Sequence, residues 1–124
     1  MKGQVTVEYL LITLIALTLL SFSLNVLTNA NNAQQSGYER AKFLSDANDI
    51  SHAMKEVCVL GDGNSRKINL KTEIKISGKE TVVIEGMYEN LTHQEEIPCD
   101  VSSSGTFSGT VYVKNEGGSI VVEQ

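Results

Sequence analysis

Residues 10–24 carry no charged side chain and are mostly apolar. The longer stretch 5–27 would rise roughly 34 Å as a helix at about 1.5 Å per residue, which is enough to cross a bilayer core about 30 Å thick. Water cannot solvate so much apolar surface at low cost. One end of the chain is therefore predicted to lie in lipid or against protein, and the rest in water.

A single carboxylate, Glu8, lies inside this apolar segment. A charge within a membrane helix costs a few kcal/mol even on lenient scales, so it normally has a partner. The alternative is that Glu8 lies at the membrane interface and is solvated. A secretory signal peptide would place its charges before the apolar run and a small-x-small cleavage site after it. Asn25 and a polar stretch follow instead, which favours a retained helix.

The composition of the whole chain of 124 residues narrows the classes of function. Hydrophobic residues make up 41%, charged residues 20%, and there is one proline, so the body is expected to fold. The net charge is −5. A nucleic-acid groove needs a basic surface that displaces counterions from phosphates, so we expect no nucleic-acid partner.

A resemblance to a known family lies at the start of the chain, in the residues Lys2-Gly3-Gln4-Val5-Thr6-Val7-Glu8-Tyr9-Leu10-Leu11-Ile12. They resemble the class III signal peptide of archaeal type IV pilins. In that family a short basic leader ends in glycine, a membrane peptidase cuts before glutamine, and the mature chain reads Gln-x-Ser-x-Glu before an apolar helix. Thr6 and Ile12 stand where the family usually has serine and leucine.

The resemblance implies cleavage between Gly3 and Gln4, which makes Glu8 the fifth mature residue. It further implies a precursor in the cytoplasmic membrane, and a prepilin peptidase, an assembly ATPase and a membrane platform as partners. In the usual account for this family, Glu8 pairs with the free amino terminus of an adjacent subunit. A cyclised Gln4 would lose that charge and leave Glu8 to bond Thr6 or a backbone amide. The residues implied in subunit packing are Glu8, Tyr9, Leu10, Leu11, Ile12, Leu14 and Ile15.

The next part of the chain is predicted to continue the helix. Residues 28–37 are weak helix formers, so this run is either a soft helix or a break. An apolar stripe at helical spacing then follows, and Gly61 is a plausible left-handed stop. We predict one helix from about Val5 to Leu60. The residues of the stripe are Phe43, Ala47, Ile50, Met54 and Val57.

Beyond Gly61 the period changes from helical spacing to alternation, which is typical of strands. Residues 67–76, 81–88, 106–114 and 119–123 are predicted strands, and 89–100 a polar loop. Three or more strands covering the helix stripe would form a stable small head. The predicted fold is α+β, a long hydrophobic helix followed by a small antiparallel sheet on its second half. Its segments are a leader 1–3, a helix 4–60 with a membrane or filament-core part 4–28, and a head 61–124.

Two cysteines admit more than one interpretation. In an exported head the default for Cys58 and Cys99 is a disulfide. The alternatives are free thiols, or a zinc ion held by His52-x5-Cys58 and His93-x5-Cys99, although neither spacing is a recognised zinc-finger spacing. We expect no metal and no cofactor.

Other motifs carry less chemistry. Asn90-Leu91-Thr92 is a glycosylation sequon in a predicted loop. Gly105-Thr-Phe-Ser-Gly109 resembles a nucleophile elbow only superficially, because serine is in the fourth place and no helix follows. Gly61-Asp-Gly63 is too short for a phosphate loop. We expect no enzyme activity.

The leading hypothesis is a structural subunit of an extracellular adhesion pilus, built from copies of this chain after leader cleavage. Assembly would move the apolar helix from lipid into a bundle of the same helices. The alternatives are a minor pilin or pseudopilin, or a single-pass membrane protein whose extracellular head binds a partner without polymerising.

Overall fold

Helix α1 (Lys2–Leu60) runs without interruption in the computed structural model, which describes residues 2–87 and 90–124. The polar run 28–37 is part of this helix, so the helix is continuous there and has no break. The backbone of Gly61 has φ 88°, and its N–H donates to the carbonyl of Val57 at 3.2 Å. This is the predicted left-handed stop, in a conformation that favours glycine.

A five-stranded antiparallel sheet follows the helix and packs on its second half. The predicted α+β fold is therefore confirmed. The order of strands across the sheet is β3-β2-β1-β4-β5. The strands are β1 (Ser65–Ser77), β2 (Thr81–Gly86), β3 (Thr92–Glu96), β4 (Gly105–Glu116) and β5 (Ser119–Glu123).

Strand β3 corrects one prediction, because it lies inside the segment 89–100 that we expected to be a loop. Its sequence is polar, but it pairs with β2 from Thr81 opposite Glu96 to Glu85 opposite Thr92. An edge strand is held by backbone hydrogen bonds to its one neighbour, and these bonds do not require apolar side chains. Tyr88 and Glu89, where a strand end and the loop start were predicted, lie outside the described residues.

The core lies between α1 and the inner face of the sheet. All five residues of the predicted helix stripe are buried, with exposures of 0–2%. On β1 the alternation also holds, since Leu70, Ile74 and Ile76 are buried and Ile68 packs against the core. The sheet contributes further buried residues from its other strands: Val82, Ile84, Val111, Val113, Ile120 and Val122.

A bulge interrupts β1 between Leu70 and Ile74. Leu70 is opposite Gly109 and Ile74 is opposite Phe107, so β1 advances by four residues where β4 advances by two. The extra residues lose ladder partners, as bulged residues do. The carboxylate of Asp46 on α1 replaces those partners, as described below.

The chain divides into two compact units, one ending at Tyr38 and the other running from Glu39 to Gln124. The second unit contains the whole buried core. Its boundary lies inside α1, not at the helix end, because residues 39–60 supply the stripe that the sheet covers. On the far edge of the sheet, Val101 forms a parallel bridge with Ile120 and extends the edge of β5.

Candidate assembly and processing sites

The first unit presents apolar side chains to the exterior from Val5 to Leu27. Every residue from Gly3 to Gln35 is exposed, including all those of its most apolar stretch. Leu10, Phe22 and Leu27 are 67–70% exposed. This helix is long and apolar enough to cross a membrane. Burial of its surface must come from outside the single chain, either from lipid or from other protein.

Five polar side chains of this segment bond back to the helix itself. Each donates to a carbonyl three or four residues earlier, at 2.7–3.1 Å. Such bonds hide a hydroxyl or amide from an apolar environment. The helix therefore tolerates apolar surroundings despite its hydroxyl content. The donors are Thr13, Thr18, Ser23, Asn25 and Thr28.

Glu8 differs from these residues because it is an acceptor-only carboxylate when ionised. Positions three and four residues along a helix share its face. Of these neighbours of Glu8, Val5, Leu11 and Ile12 are apolar and 53–60% exposed, and the fourth, Gln4, is polar and exposed. Glu8 is exposed too. The structure thus places one exposed carboxylate on a mostly apolar, exposed face of the helix.

The other residues predicted to pack between subunits surround Glu8 on the helix. They are all about half exposed or more, from 48% for Ile15 to 68% for Tyr9. They occupy all sides of the helix, as 3.6 residues per turn requires. An environment that buries this segment must therefore surround it.

The predicted cleavage site lies in the first helical turns. A Cβ built on Gly3 would meet no atom within 4 Å, so the described fold has no steric need for glycine there. Glycine costs a helix up to about 1 kcal/mol relative to alanine. Met1, in the predicted leader 1–3, lies outside the described residues.

The two cysteines form a disulfide in the second unit. Cys58 and Cys99 are bonded with their Cα atoms 5.9 Å apart. The bridge joins the last turn of α1 to the segment that follows β3. His52 is exposed, while Nε2 of the half-buried His93 lies 3.4 Å from a carboxylate oxygen of Glu95. Among the described residues, no group of three or more His, Cys, Asp or Glu side chains is arranged to hold a metal.

The sequon residue Asn90 is exposed and lies at a turn directly before β3. Its φ of 48° is in the left-handed region, which asparagine tolerates better than most residues. Leu91 packs on the core and Thr92 is exposed at the start of β3. A glycan on Asn90 would therefore extend into solvent without displacing core residues.

The two motifs that superficially resemble enzyme loops form parts of the head: one lies in strand β4 and the other in the turn after α1. Ser108 lies within β4, where the carbonyl of Ser108 accepts a bond from the side-chain amide of Gln124 at 2.7 Å. The Gly61–Gly63 segment forms the turn after α1, and Asp62 there accepts the N–H of Gly117 at 2.7 Å. That bond ties the turn to the β4–β5 hairpin.

One structurally important residue, Asp46, was not singled out from the sequence. It is fully buried, and its Oδ2 accepts bonds from the N–H groups of Lys71 and Thr72 and from the Thr72 hydroxyl, at 2.7–2.8 Å. The available signal was helical spacing, since Asp46 is three residues after Phe43 and four before Ile50 and therefore lies on the face of the apolar stripe.

No family model matches this sequence, and neither the curated proteins nor the solved structures contain a match.

Proposed function

We propose that this chain is the structural subunit of an extracellular type IV pilus, assembled by packing of its amino-terminal helices after removal of residues 1–3. The precursor lies in the cytoplasmic membrane, where a prepilin peptidase cleaves it. An assembly ATPase and a membrane platform then transfer it into the fibre. Its role is structural and non-catalytic, and the filament serves surface attachment.

The observation that carries this proposal is the pairing of an uncovered apolar helix with a self-contained head. Residues 3–35 are exposed, while the second unit has its own core and disulfide. Lipid can cover such a helix in the precursor. In a fibre outside the membrane, only the same helix of neighbouring subunits can cover it, and this favours polymerisation.

Glu8 supplies the directional element of this packing. In a fibre core, an amine or another donor from the next subunit can approach the carboxylate. At an effective dielectric near 20, a contact of about 4 Å contributes roughly 4 kcal/mol of Coulomb energy before desolvation is subtracted. Apolar contacts alone do not fix the axial offset between neighbouring helices. A single carboxylate among exposed apolar residues fixes it, because its partner on the next subunit must lie at one height along the helix.

Two further features support the proposal. Gly3 has no steric role in the described fold, as expected for a residue that a leader peptidase selects. Asn90 lies at an exposed turn, and we propose that it carries an oligosaccharide on the outer surface of the fibre.

The test compares Glu8→Ala and Glu8→Gln with the wild type. We expect Glu8→Ala to insert, to form the Cys58–Cys99 bond and to yield few or no filaments, and Glu8→Gln to be intermediate because it keeps size and hydrogen bonding. The measurement is filament yield in sheared surface fractions, with the intact mass showing whether the mature chain begins at Gln4.

Glu116→Ala is the matched control, since it removes an exposed carboxylate from the head. It should give normal yields. Normal filaments from Glu8→Ala would remove the pairing role of Glu8. A wild type that forms no filaments would contradict the pilus and favour a membrane-anchored binding module.

A further inference from the structure

Strands β1, β3, β4 and β5 each have a side that no other described strand fully covers. The outer side of β5 is bonded to the segment 101–103, and the uncovered half of β4, 105–111, carries no charge. Strand β2 pairs with β1 only from Ile74 to Ser77, so the first half of β1, from Ser65 to about Leu70, has β4 on one side and no strand on the other. Strand β3 has β2 on one side only. Uncovered edges are templates for strand pairing with another chain.

The direction of the backbone groups on β1 follows from its register. Asn115 donates its N–H to the carbonyl of Asn64 at 2.9 Å, which continues the pairing of Ser65 with Lys114. Alternate residues of an antiparallel strand bond to the same neighbour. Even-numbered residues of this half therefore bond to β4, and Ser65, Lys67 and Asn69 direct their N–H and C=O groups to the uncovered side.

The same argument applies to β3. The N–H of Gly86 donates to the carbonyl of Leu91 at 2.8 Å, which continues the β2–β3 register. His93 and Glu95 thus bond to β2, while Thr92, Gln94 and Glu96 direct their backbone groups outward. These three residues are exposed, as are the three on β1.

The space beside the β1 edge is a groove of about 780 Å³ between this half-strand and the exposed face of α1. Val59, 81% exposed, and Ile68 provide apolar surface in its lining. Arg66 is already paired with Glu56. Among the described residues, Lys67 has no carboxylate within ion-pair distance, and its Nζ lies 6.0 Å from the centre of the Tyr112 ring.

Charge decides which strand fits this edge. The first half of β1 carries Lys67 and Arg66, of which Arg66 is paired with Glu56, and it carries no acid. Strand β3 carries Glu96 and Glu95, of which Glu95 is paired with Lys55 on α1. Like charges placed opposite each other destabilise a strand pair, and opposite charges stabilise it. Two β1 edges would therefore repel, as would two β3 edges, whereas a β1 edge and a β3 edge attract.

We propose that the uncovered half of β1 in one copy of this chain pairs with the uncovered side of β3 in a second copy. In the antiparallel register that puts Lys67 opposite Glu96, Asn69 lies opposite Gln94, so that two side-chain amides can bond. Such a contact is heterologous, and a heterologous contact whose rotation does not close into a ring builds an open helical filament. The inference rests on the proposed function and adds a head contact to the helix packing.

The first test blocks the backbone groups in the full-length chain. Asn69→Pro and Gln94→Pro each remove an N–H that faces the uncovered side and leave the ladders to β4 and β2 intact. Each should lower filament yield about two- to tenfold. Asn69→Ala and Gln94→Ala keep the N–H and should lower the yield less than the matching proline variants.

The second test keeps the backbone and exchanges charge. Lys67→Glu and Glu96→Lys should each lower filament yield about two- to fivefold, and the double variant should restore it. Formation of the Cys58–Cys99 bond and the thermal melting of each variant in detergent report whether the head is intact.

The outcomes separate the two proposals. Wild-type filaments with unchanged yields in both single charge variants, or no rescue in the double variant, would overturn the strand pairing and leave the pilus proposal standing. Absence of wild-type filaments would overturn both.

Discussion

Asp46 shows how one buried side chain stabilises a strand that lies far from it in sequence. The bulge in β1 leaves two consecutive N–H groups without ladder partners, and the Asp46 carboxylate accepts both, together with the Thr72 hydroxyl. Buried donors without partners cost about 1–3 kcal/mol each. The helix and the bulge therefore depend on each other.

We expect Asp46→Ala to destabilise the head by about 3 kcal/mol, because it leaves these donors unpaired in a buried place. Asp46→Asn keeps one acceptor oxygen and should cost less. The measurement is denaturant unfolding of the full-length chain in detergent. Asp49→Ala, which changes an exposed aspartate on the same helix, is the control and should stay within about 0.5 kcal/mol of wild type. Equal stability of the Asp46→Ala and Asp49→Ala variants would contradict this role.

The pair of Lys55 and Glu95 makes the stability of the head dependent on pH. The hydrogen bond from Lys55, which lies on α1, lowers the pKa of Glu95 on β3. A carboxylate whose pKa is lowered in the folded state stabilises the fold at pH values above its unfolded pKa, which is about 4.3 for glutamate. This stabilisation is lost as the pH falls through the lowered, native pKa. The pair is partly exposed, so this contribution is about 0.5 kcal/mol.

We expect Lys55→Met to remove this contribution, so that its stability falls less than that of wild type between about pH 5 and pH 3. Urea unfolding at several pH values measures the difference. Parallel curves for the two proteins would show that the pair does not contribute.

At the scale of elements, the disulfide links α1 to the segment after β3. The cysteines are 41 residues apart, and the loop between them includes β1, β2 and β3. Closing such a loop removes entropy from the unfolded chain. The bridge therefore stabilises the arrangement of the first three strands against the helix end.

Reduction of the bridge should lower the free energy of unfolding by about 4 kcal/mol in the chain-entropy model. The melting temperature should fall accordingly. Calorimetry with and without reductant measures the shift, and the Cys58→Ser, Cys99→Ser double variant should melt like the reduced protein and show no response to reductant. An intact mass with two free thiols in the native protein would contradict the bridge.

At the scale of the whole molecule, the chain combines a helix that needs external cover with a head that provides its own. The second unit begins at Glu39, four residues before Phe43, the first core residue of the helix stripe. All residues of the hydrophobic core lie within this unit. The head is therefore predicted to fold without the apolar segment.

A chain beginning at Glu39 should be monomeric and water-soluble, form the Cys58–Cys99 bond and unfold cooperatively. A chain beginning at Asn48 lacks Phe43, Asp46 and Ala47 and should be strongly destabilised, because it loses core contacts and the acceptor for the β1 bulge. Sedimentation and circular dichroism distinguish these results. Aggregation or lack of structure in the longer fragment would show that the head needs the first unit.

The sequence by itself determined the features that depend on local periodicity. The uncharged run 10–24, the stripe from Phe43 to Val57 and the alternation in β1 each reflect the environment of one face of one element, so they can be read from spacing. The stop at Gly61 depends on backbone conformation at one residue. For the two cysteines the sequence predicted a disulfide by default, and spacing left zinc and free thiols open.

Only the tertiary structure decided which distant groups satisfy each other. Strand β3 is polar and was predicted as a loop, because the backbone bonds that make it a strand come from β2 and leave no apolar pattern. The role of Asp46 depends on the bulge in β1, which brings the N–H groups of Lys71 and Thr72 to its carboxylate. The uncovered side of β1 follows from where its pairing with β2 ends, and that of β3 from its position at the edge of the sheet. These features depend on long-range backbone pairing, which side-chain periodicity does not record.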